Sequence, residues 1–205
     1  MNKSLLIFYL FTSIFSFGQT FSKISNVTKI ESKLNEKLKS FSSISCRFIE
    51  TINSSMYNSP KKNEGKIYYK KINKIRWEYL SPKKEIILID GEKIKIKRNN
   101  KIIKTKPNIR MFKKMQFLII ELLNGDFTNN KNYIKNYYEN KLFYKISITS
   151  NRLSKYISSI EILFNKKNLQ PNSIKIIQTN TDQIEYRLST IIINKEISNA
   201  KFTKF

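Results

Sequence analysis

The stretch GKIYYKKINKIRWEYLSPKKEIILIDGEKIKIK, residues 65–97, decides the fold of this chain. Polar and apolar residues alternate along it, which is typical of β-strands with one buried face. Breaks at Asn73, Ser81-Pro82 and Asp90-Gly91 divide it into four strands, and Asp-Gly is a strong hairpin signal. Connections this short leave no room for crossover helices, so we expect an antiparallel sheet.

The alternation assigns each side chain to one of two faces of the sheet. The apolar and aromatic face carries Ile67, Tyr69, Ile75, Trp77, Tyr79, Ile94 and Ile96, and Lys71 shares its parity. The opposite face is mostly cationic and includes Arg76, which we expect to be a solvated cation paired with Glu78 or Glu85. One face is therefore predicted to be buried and the other to meet water.

Helical patterns and further strands flank this stretch. Apolar residues from Val27 to Phe41 recur at steps of three and four, which predicts a helix over 26–40 with Ser25 or Asn26 as its N-cap. A second helical stripe contains Met111, Phe112, Met115 and Leu118. Further strands are predicted at 45–52, 142–149, 156–164, 173–179 and 184–194. Together these patterns indicate a mainly β protein with helices (α+β).

The N-terminal residues have the composition of an export signal. Lys3 is followed by the uncharged, mostly apolar run 4–15, and small residues precede Gln19. The apolar run is too short to span a membrane comfortably. We therefore expect a cleaved signal peptide over 1–18, a periplasmic location and a single mature domain over 19–205.

The composition limits the chemistry that the chain can perform. It has no His and a single cysteine, Cys46, so it offers no His-based acid–base or metal site and no intramolecular disulfide. Its sequence shows no nucleophile paired with a base and no phosphate-binding glycine loop. We expect no enzyme activity, no catalytic residue, no metal and no cofactor. Cys46 is interpreted as a small buried hydrophobic residue.

The charge is strongly unbalanced, with 39 Lys and Arg against 15 Asp and Glu, a net charge of +24. Such a balance attracts nucleic acid, anionic lipid headgroups or acidic partners. Abundant Lys, Ile, Asn, Phe and Tyr also fit codons rich in A and T. A protein that binds single-stranded nucleic acid stacks bases on exposed aromatic side chains. Here Tyr69, Trp77 and Tyr79 lie opposite most of the lysines, so we expect no nucleic-acid partner; a structural or adhesive role is left open.

Several short motifs follow one another along the chain. They are Phe48-Ile49-Glu50, GKIYYKK at 65–71, KIRWEY at 74–79, IILIDG at 86–91, MFKKMQFLIIELLNGDF at 111–127 and SNAKF at 198–202. In their order and spacing they resemble the outer-membrane lipoprotein carrier protein LolA family, in particular its Bacteroidetes members. The resemblance extends from about Val27 to Phe205. No single motif is as specific as a catalytic signature, but the combination is specific.

The resemblance implies an incomplete antiparallel β-barrel, or curved sheet, with a helical lid over its concave hydrophobic face. It also implies a soluble carrier that takes acylated lipoproteins from an inner-membrane ABC transporter to an outer-membrane acceptor, and we expect a monomer. The acyl-chain cavity would be lined by Phe48, Ile67, Tyr69, Ile75, Trp77, Tyr79, Ile94 and Ile96. The lid would be formed by Met111, Phe112, Met115 and Leu118. The lid arginine of the family corresponds here to Lys71, which is assigned to the lid or to a headgroup contact.

Two alternatives to this interpretation are open. The same residues can form a closed, filled core, since apolar faces usually serve packing. The same fold can also carry a non-protein lipid or a lipidated small molecule. Moving an acyl chain of about sixteen carbons out of water is worth on the order of 12 kcal/mol, at ~0.8 kcal/mol per CH₂. Any carrier of this kind therefore needs a dry cavity.

Overall fold

The computed structural model describes residues 20–71, 73–91, 93–103, 121, 125–151 and 153–205. Within these residues twelve strands form a single sheet. The strands are β1 (Ser22–Lys23), β2 (Ser43–Asn53), β3 (Lys61–Lys70), β4 (Lys74–Ser81), β5 (Glu85–Asp90), β6 (Lys93–Arg98), β7 (Lys101–Ile103), β8 (Ile134–Glu139), β9 (Phe143–Thr149), β10 (Ile157–Asn165), β11 (Pro171–Gln178) and β12 (Gln183–Ile193). The helices are α1 (Val27–Lys39), α2 (Asp126–Asn129) and α3 (Ala200–Thr203).

The sheet consists of two antiparallel meanders joined side by side. Its strand order is β1-β8-β9-β10-β11-β12-β2-β3-β4-β5-β6-β7, and β12 pairs with β2 to join the halves. Because β1 and β7 are both edges, the sheet is not closed. The predicted antiparallel, mainly β class is confirmed, as is the hairpin at Asp90-Gly91, where Asp90 pairs with Lys93. The helical stripe predicted around Met111 lies outside the described residues.

The sheet is curved, because side chains on distant strands meet. Strands β4 and β12 are three inter-strand spacings apart, about 14 Å along a flat sheet. Even so, the rings of Trp77 on β4 and Tyr186 on β12 have centroids only 5.3 Å apart. The inward face of the sheet, defined as the side that carries these two rings, is therefore concave.

Helix α1 contributes to the core on this inward face. The Asn26 side chain accepts a hydrogen bond of 3.1 Å from the Lys29 backbone N–H, which confirms it as the N-cap. Ile30, Leu34 and Leu38 are buried and belong to the same hydrophobic cluster as the inward residues of the strands. The predicted amphipathic helix is thus confirmed, and its apolar stripe packs against the sheet.

Three strands were not expected from the sequence, and one is longer than expected. β1 and β7 are too short to show a period, and β8, with the sequence IKNYYE, buries only Tyr137. β3 begins at Lys61, four residues before the stretch over 65–97 in which the strands are predicted. Its polar start pairs with the end of β2, where Asn63 lies opposite Glu50, so backbone pairing overrides the polar composition there.

The C-terminal segment, residues 195–205, covers part of the outward face of the sheet. Helix α3 contacts β4 and β5, and Phe202 and Leu88 are buried there, outside the main core cluster. Arg76 donates from Nη1 to the carbonyl oxygens of Lys201 (3.1 Å) and Lys204 (2.6 Å). The outward face is therefore dry beneath this segment.

The expectation of a solvated Arg76 is wrong. Its side chain is only 8% exposed, because the C-terminal segment covers it. It forms an ion pair with Glu78, which is one of the two predicted partners. The other candidate, Glu85, is buried and pairs with Lys83 and Arg98 instead. Arg76 therefore joins the C-terminal segment to the sheet.

We expect Arg76→Ala to lower the free energy of unfolding by about 3–5 kcal/mol, because it leaves the Glu78 carboxylate without its buried partner. Arg187→Ala is the matched control. Arg187 pairs with Glu185 at the same spacing along a strand, but its side chain is 71% exposed, so the loss should stay within about 0.5 kcal/mol. Urea unfolding of both variants measures the difference. Equal losses would contradict the anchoring role of Arg76.

Candidate functional site

The residues predicted to line a cavity are brought together on the inward face. Phe48, Ile67, Tyr69, Ile75, Trp77, Tyr79 and Ile96 are buried and belong to one hydrophobic cluster, and Ile94 is partly buried against it. They come from β2, β3, β4 and β6. The period-two pattern over 65–97 therefore placed its predicted inward residues on one face of the sheet, and Phe48 joins them from β2.

The centre of the inward face is almost completely filled. A cavity of about 10 Å³ remains there, which is room for roughly one water molecule. It is lined by Ile44, Cys46, Ile67, Trp77, Pro171, Ile174, Tyr186, Leu188 and Ile191. Pockets that hold small ligands are typically about 300–1,000 Å³. Among the described residues this cavity is too small for an acyl chain, which would enter it only if the lining side chains moved apart.

Four aromatic rings dominate this face. Phe48 lies 5.0 Å from Trp77 and 5.4 Å from Tyr79, and Trp77 lies 5.3 Å from Tyr186 in an edge-on arrangement. These centroid distances fall in the range favoured by aromatic pairs. We call these four residues the aromatic cluster. It connects β2, β4 and β12 across the concave side of the sheet.

A buried carboxylate lies next to the aromatic cluster. Glu50 on β2 is 5% exposed; its Oε1 accepts a hydrogen bond of 3.0 Å from the Tyr79 hydroxyl, and its Oε2 accepts one of 2.5 Å from Asn63 Nδ2. Tyr186 also shares hydrogen bonds with Glu50 and Tyr79. Sequence reasoning missed this group, although its parity with Phe48 placed it on the inward face.

Burial determines the acid–base behaviour of these side chains. The pKa of Tyr79 is raised, first by burial and then by the nearby Glu50 carboxylate. The pKa of Tyr186 is also raised, first by burial, then by Tyr79 and then by Glu50. Burial also raises the pKa of the Cys46 thiol to about 12. A thiol with so high a pKa is a poor nucleophile at neutral pH, which agrees with the interpretation of Cys46 as a packing residue.

Lys71 lies just after β3 and contacts helix α1. Its exposed side chain donates from Nζ to the Lys39 carbonyl at 3.0 Å, and its backbone N–H donates to the Ser42 carbonyl at 2.8 Å. A cation at a helix C-terminus satisfies a free carbonyl and complements the helix dipole. The structure thus places Lys71 at the end of α1, and its assignment to a lid or headgroup contact stays a prediction. The predicted lid residues Met111, Phe112, Met115 and Leu118 lie outside the described residues.

A larger groove lies at one end of β4, β5 and β6. It measures about 250 Å³ and is lined by Glu78, Tyr79, Leu80, Lys84, Glu85, Ile86, Lys97, Asn99 and Asn100. Its walls carry both signs of charge, including Glu85, which Lys83 contacts at 2.8 Å. A groove whose walls carry both signs of charge does not replace a bilayer for hydrocarbon. The inward face, although nearly filled, is therefore the better candidate site.

The described residues contain neither a metal-ligand cluster nor a membrane-spanning helix. Their carboxylates and their thiol do not gather in groups of three that could hold an ion. None of their helices has the length and apolar character needed to cross a bilayer.

Over the described residues the molecule is an antiparallel sheet that does not close into a barrel and that buries apolar side chains on its concave face. This arrangement defines its class. The profile of the family described as outer membrane lipoprotein carrier protein LolA matches residues 39–204. The chain belongs to the LolA family. No curated protein matches the chain.

Solved structures are similar to this chain at low sequence identity. A LolA superfamily protein from Nitrosomonas europaea is 12% identical, with a TM-score of 0.46 over 86% of this chain and 97% of its own. LprF from Mycobacterium bovis is 12% identical, with a TM-score of 0.47 over 87% of this chain and 98% of its own. The MucA/MucB complex of Pseudomonas aeruginosa contains a chain that is 10% identical, with a TM-score of 0.45 over 83% of this chain and 58% of its own.

The buried tyrosines predict a loss of stability in alkali. The pKa values of Tyr79, Tyr137 and Tyr186 are all raised in the folded state, whereas an unfolded chain ionises tyrosine near pH 10. Above that pH the unfolded chain binds fewer protons than the folded one, so the free energy of unfolding falls as pH rises. Below about pH 10 this contribution is fully present.

Urea unfolding at a series of pH values from about 8 to 11 measures this slope. Tyr79→Phe should make the decline above pH 10 shallower, because one raised pKa is removed. Tyr156→Phe, which removes a tyrosine that is 46% exposed, is the control and should leave the slope as in the wild type. A Tyr79→Phe slope equal to that of the wild type would contradict the burial of this hydroxyl.

Proposed function

We propose that this protein is a soluble periplasmic carrier that shelters the acyl chains of lipoproteins between the inner and the outer membrane. The observation that carries the proposal is membership of the LolA family over residues 39–204. The concave, apolar inward face supports it, since this is the surface on which a hydrocarbon chain can be kept from water. We place the acyl chains against Phe48, Ile67, Tyr69, Ile75, Trp77, Tyr79, Ile94 and Ile96.

The small size of the cavity on the inward face gives the carrier a specific physical task. Without cargo, its own side chains keep the face dry; with cargo, acyl carbons take their places. Because one apolar surface replaces another, loading removes the acyl chain from water without exposing the protein core. The free energy gained by moving a chain of about sixteen carbons out of water is on the order of 12 kcal/mol, and the cost of moving the side chains apart is subtracted from it.

We further propose that the segment with Met111, Phe112, Met115 and Leu118 forms a helical lid over this face. Methionine thioethers adapt to varied chain positions, which suits a surface that is alternately filled by side chains and by lipid. Lys71, which contacts the end of α1, would hold the lid or meet the cargo headgroup. An inner-membrane ABC transporter would supply the cargo to the monomer, and an outer-membrane acceptor would receive it.

A release assay tests the proposal. Purified protein is incubated with inner-membrane vesicles that contain an acylated lipoprotein, and we expect a soluble 1:1 complex. The same lipoprotein without its acyl chains is the negative control. Failure to release any lipoprotein contradicts the function, and binding of membrane lipid in place of lipoprotein would favour a carrier of non-protein lipid.

Two neighbouring isoleucines provide a matched pair of variants for this assay. Ile191 lines the cavity and packs against the core, whereas Ile192 beside it on β12 is 44% exposed. Ile191→Asp places a carboxylate at the apolar surface and should reduce release by about tenfold or more. Ile192→Asp adds the same charge outside the cavity and should release lipoprotein as the wild type does. Equal release by both variants would contradict the placement of the cargo.

The export signal yields a separate prediction. We propose that residues 1–18 are removed, leaving a single domain over 19–205. When the full chain is produced in a Gram-negative host, the protein in the periplasmic fraction should begin at Gln19, as shown by its intact mass. Gly18→Pro, which blocks a small-residue cleavage site, should leave the precursor uncleaved. A full-length chain in the periplasm would overturn this proposal.

A further inference from the structure

Trp77 carries a polar group that the described residues leave unsatisfied. Its side chain is 3% exposed, and its indole Nε1–H has no hydrogen-bond acceptor among the described residues. It is also the only tryptophan of the chain. A buried donor without a partner costs stability, typically about 1–3 kcal/mol, so its retention at the centre of a dry face calls for a partner.

The surroundings of Trp77 are unsuited to water as that partner. The cavity that Trp77 lines is otherwise formed almost wholly by apolar side chains such as Ile67, Ile174 and Leu188. A buried water normally makes about three hydrogen bonds. The lining carries one side-chain hydroxyl, that of Tyr186, and this group already hydrogen-bonds Glu50 and Tyr79. The chemistry of the lining therefore matches a ligand that is apolar apart from one acceptor atom and that enters when the side chains move apart.

The charge nearby limits which acceptor fits. Glu50 lies beside the same aromatic cluster, and its hydrogen-bond partners Tyr79, Tyr186 and Asn63 are all neutral. A carboxylate in a low-dielectric region repels a second anion strongly. A free fatty-acid carboxylate or a phosphate is therefore disfavoured, whereas a neutral carbonyl oxygen can accept from the indole without this cost.

We propose that Trp77 Nε1–H donates a hydrogen bond to the ester or amide carbonyl that joins an acyl chain to its carrier group. This inference rests on the proposed function and refines it: the preferred ligand is an ester- or amide-linked acyl chain, not an alkane, an ether lipid or a free fatty acid. Trp77 is then a specificity-determining residue for the head of the chain, while its aliphatic neighbours contact the hydrocarbon.

A pair of ligands that differ only in the carbonyl tests this role. The probes are a dipalmitoylglyceryl-cysteine peptide and its dihexadecyl ether analogue, titrated calorimetrically in a detergent below its critical micelle concentration. The wild type should bind the ester about threefold to tenfold more tightly, the equivalent of one hydrogen bond. Trp77→Phe should bind both probes equally. Ile67→Val, which trims the same cavity without removing a donor, should keep the ester preference.

A second measurement needs no variant. Because the chain has one tryptophan, a ¹⁵N-labelled sample gives a single indole N–H signal. The ester should shift this proton downfield, as hydrogen bonding does, and the ether should not. An unchanged signal with bound ester overturns the inference even if Trp77→Phe fails to fold.

The outcomes separate the inference from the proposed function. If neither probe binds, acyl-chain carriage itself fails. If ester and ether bind equally to the wild type, carriage stands and the role of Trp77 is overturned. Palmitate is the third probe and should bind more weakly than the ester; tighter binding of palmitate would contradict the exclusion of anions by Glu50. Dipalmitoylglycerol is the fourth probe. If it binds more weakly than the peptide, the carbonyl that accepts from Trp77 is that of a lipoprotein; if it binds more tightly, that carbonyl is that of a glycerolipid.

Discussion

The inward face of this open sheet must stay dry, and most of the structure follows from that constraint. Twelve strands without closure leave one broad apolar surface, which a flat sheet would expose to water. Curvature reduces the problem by bringing β4 and β12 close enough for Trp77 and Tyr186 to touch. Helix α1 covers a further part with Ile30, Leu34 and Leu38. A carrier exploits this same requirement, because whatever keeps such a face dry can be exchanged for lipid.

The two faces of β4 are held by different interactions. On the inward side, Trp77 and Tyr79 belong to the aromatic cluster. On the outward side, Arg76 joins Glu78 to the carbonyl oxygens of the C-terminal segment. A strand that is packed on both faces resists displacement more than one that is packed on a single face. β4 therefore forms a fixed wall of the inward face, and the opening that the proposed carrier would need is better supplied by elements with fewer attachments.

The sequence predicted the sheet wherever local pattern and tertiary burial agree. Alternation over 65–97 located β3 to β6 and the faces of Ile67 and Trp77, because each strand there has one clearly apolar side. Parity alone could not show that residues more than a hundred positions away cover Arg76, so its burial was missed. Glu50 was missed because a charged side chain is normally placed outside a core, and its hydrogen bonds to Tyr79, Tyr186 and Asn63 make the burial acceptable.

Glu50 has a structural consequence that an apolar residue would not supply. It lies opposite Asn63 in the β2–β3 register and accepts a hydrogen bond from it. A shift of one residue would turn the carboxylate to the other face and break the bonds to Asn63 and Tyr79, so the polar group specifies the register. The same group ends the continuous apolar surface of β2 after Phe48. In the proposed carrier, hydrocarbon along this strand would have a defined limit, because extending past Phe48 would bring it against a carboxylate whose hydrogen bonds it cannot replace.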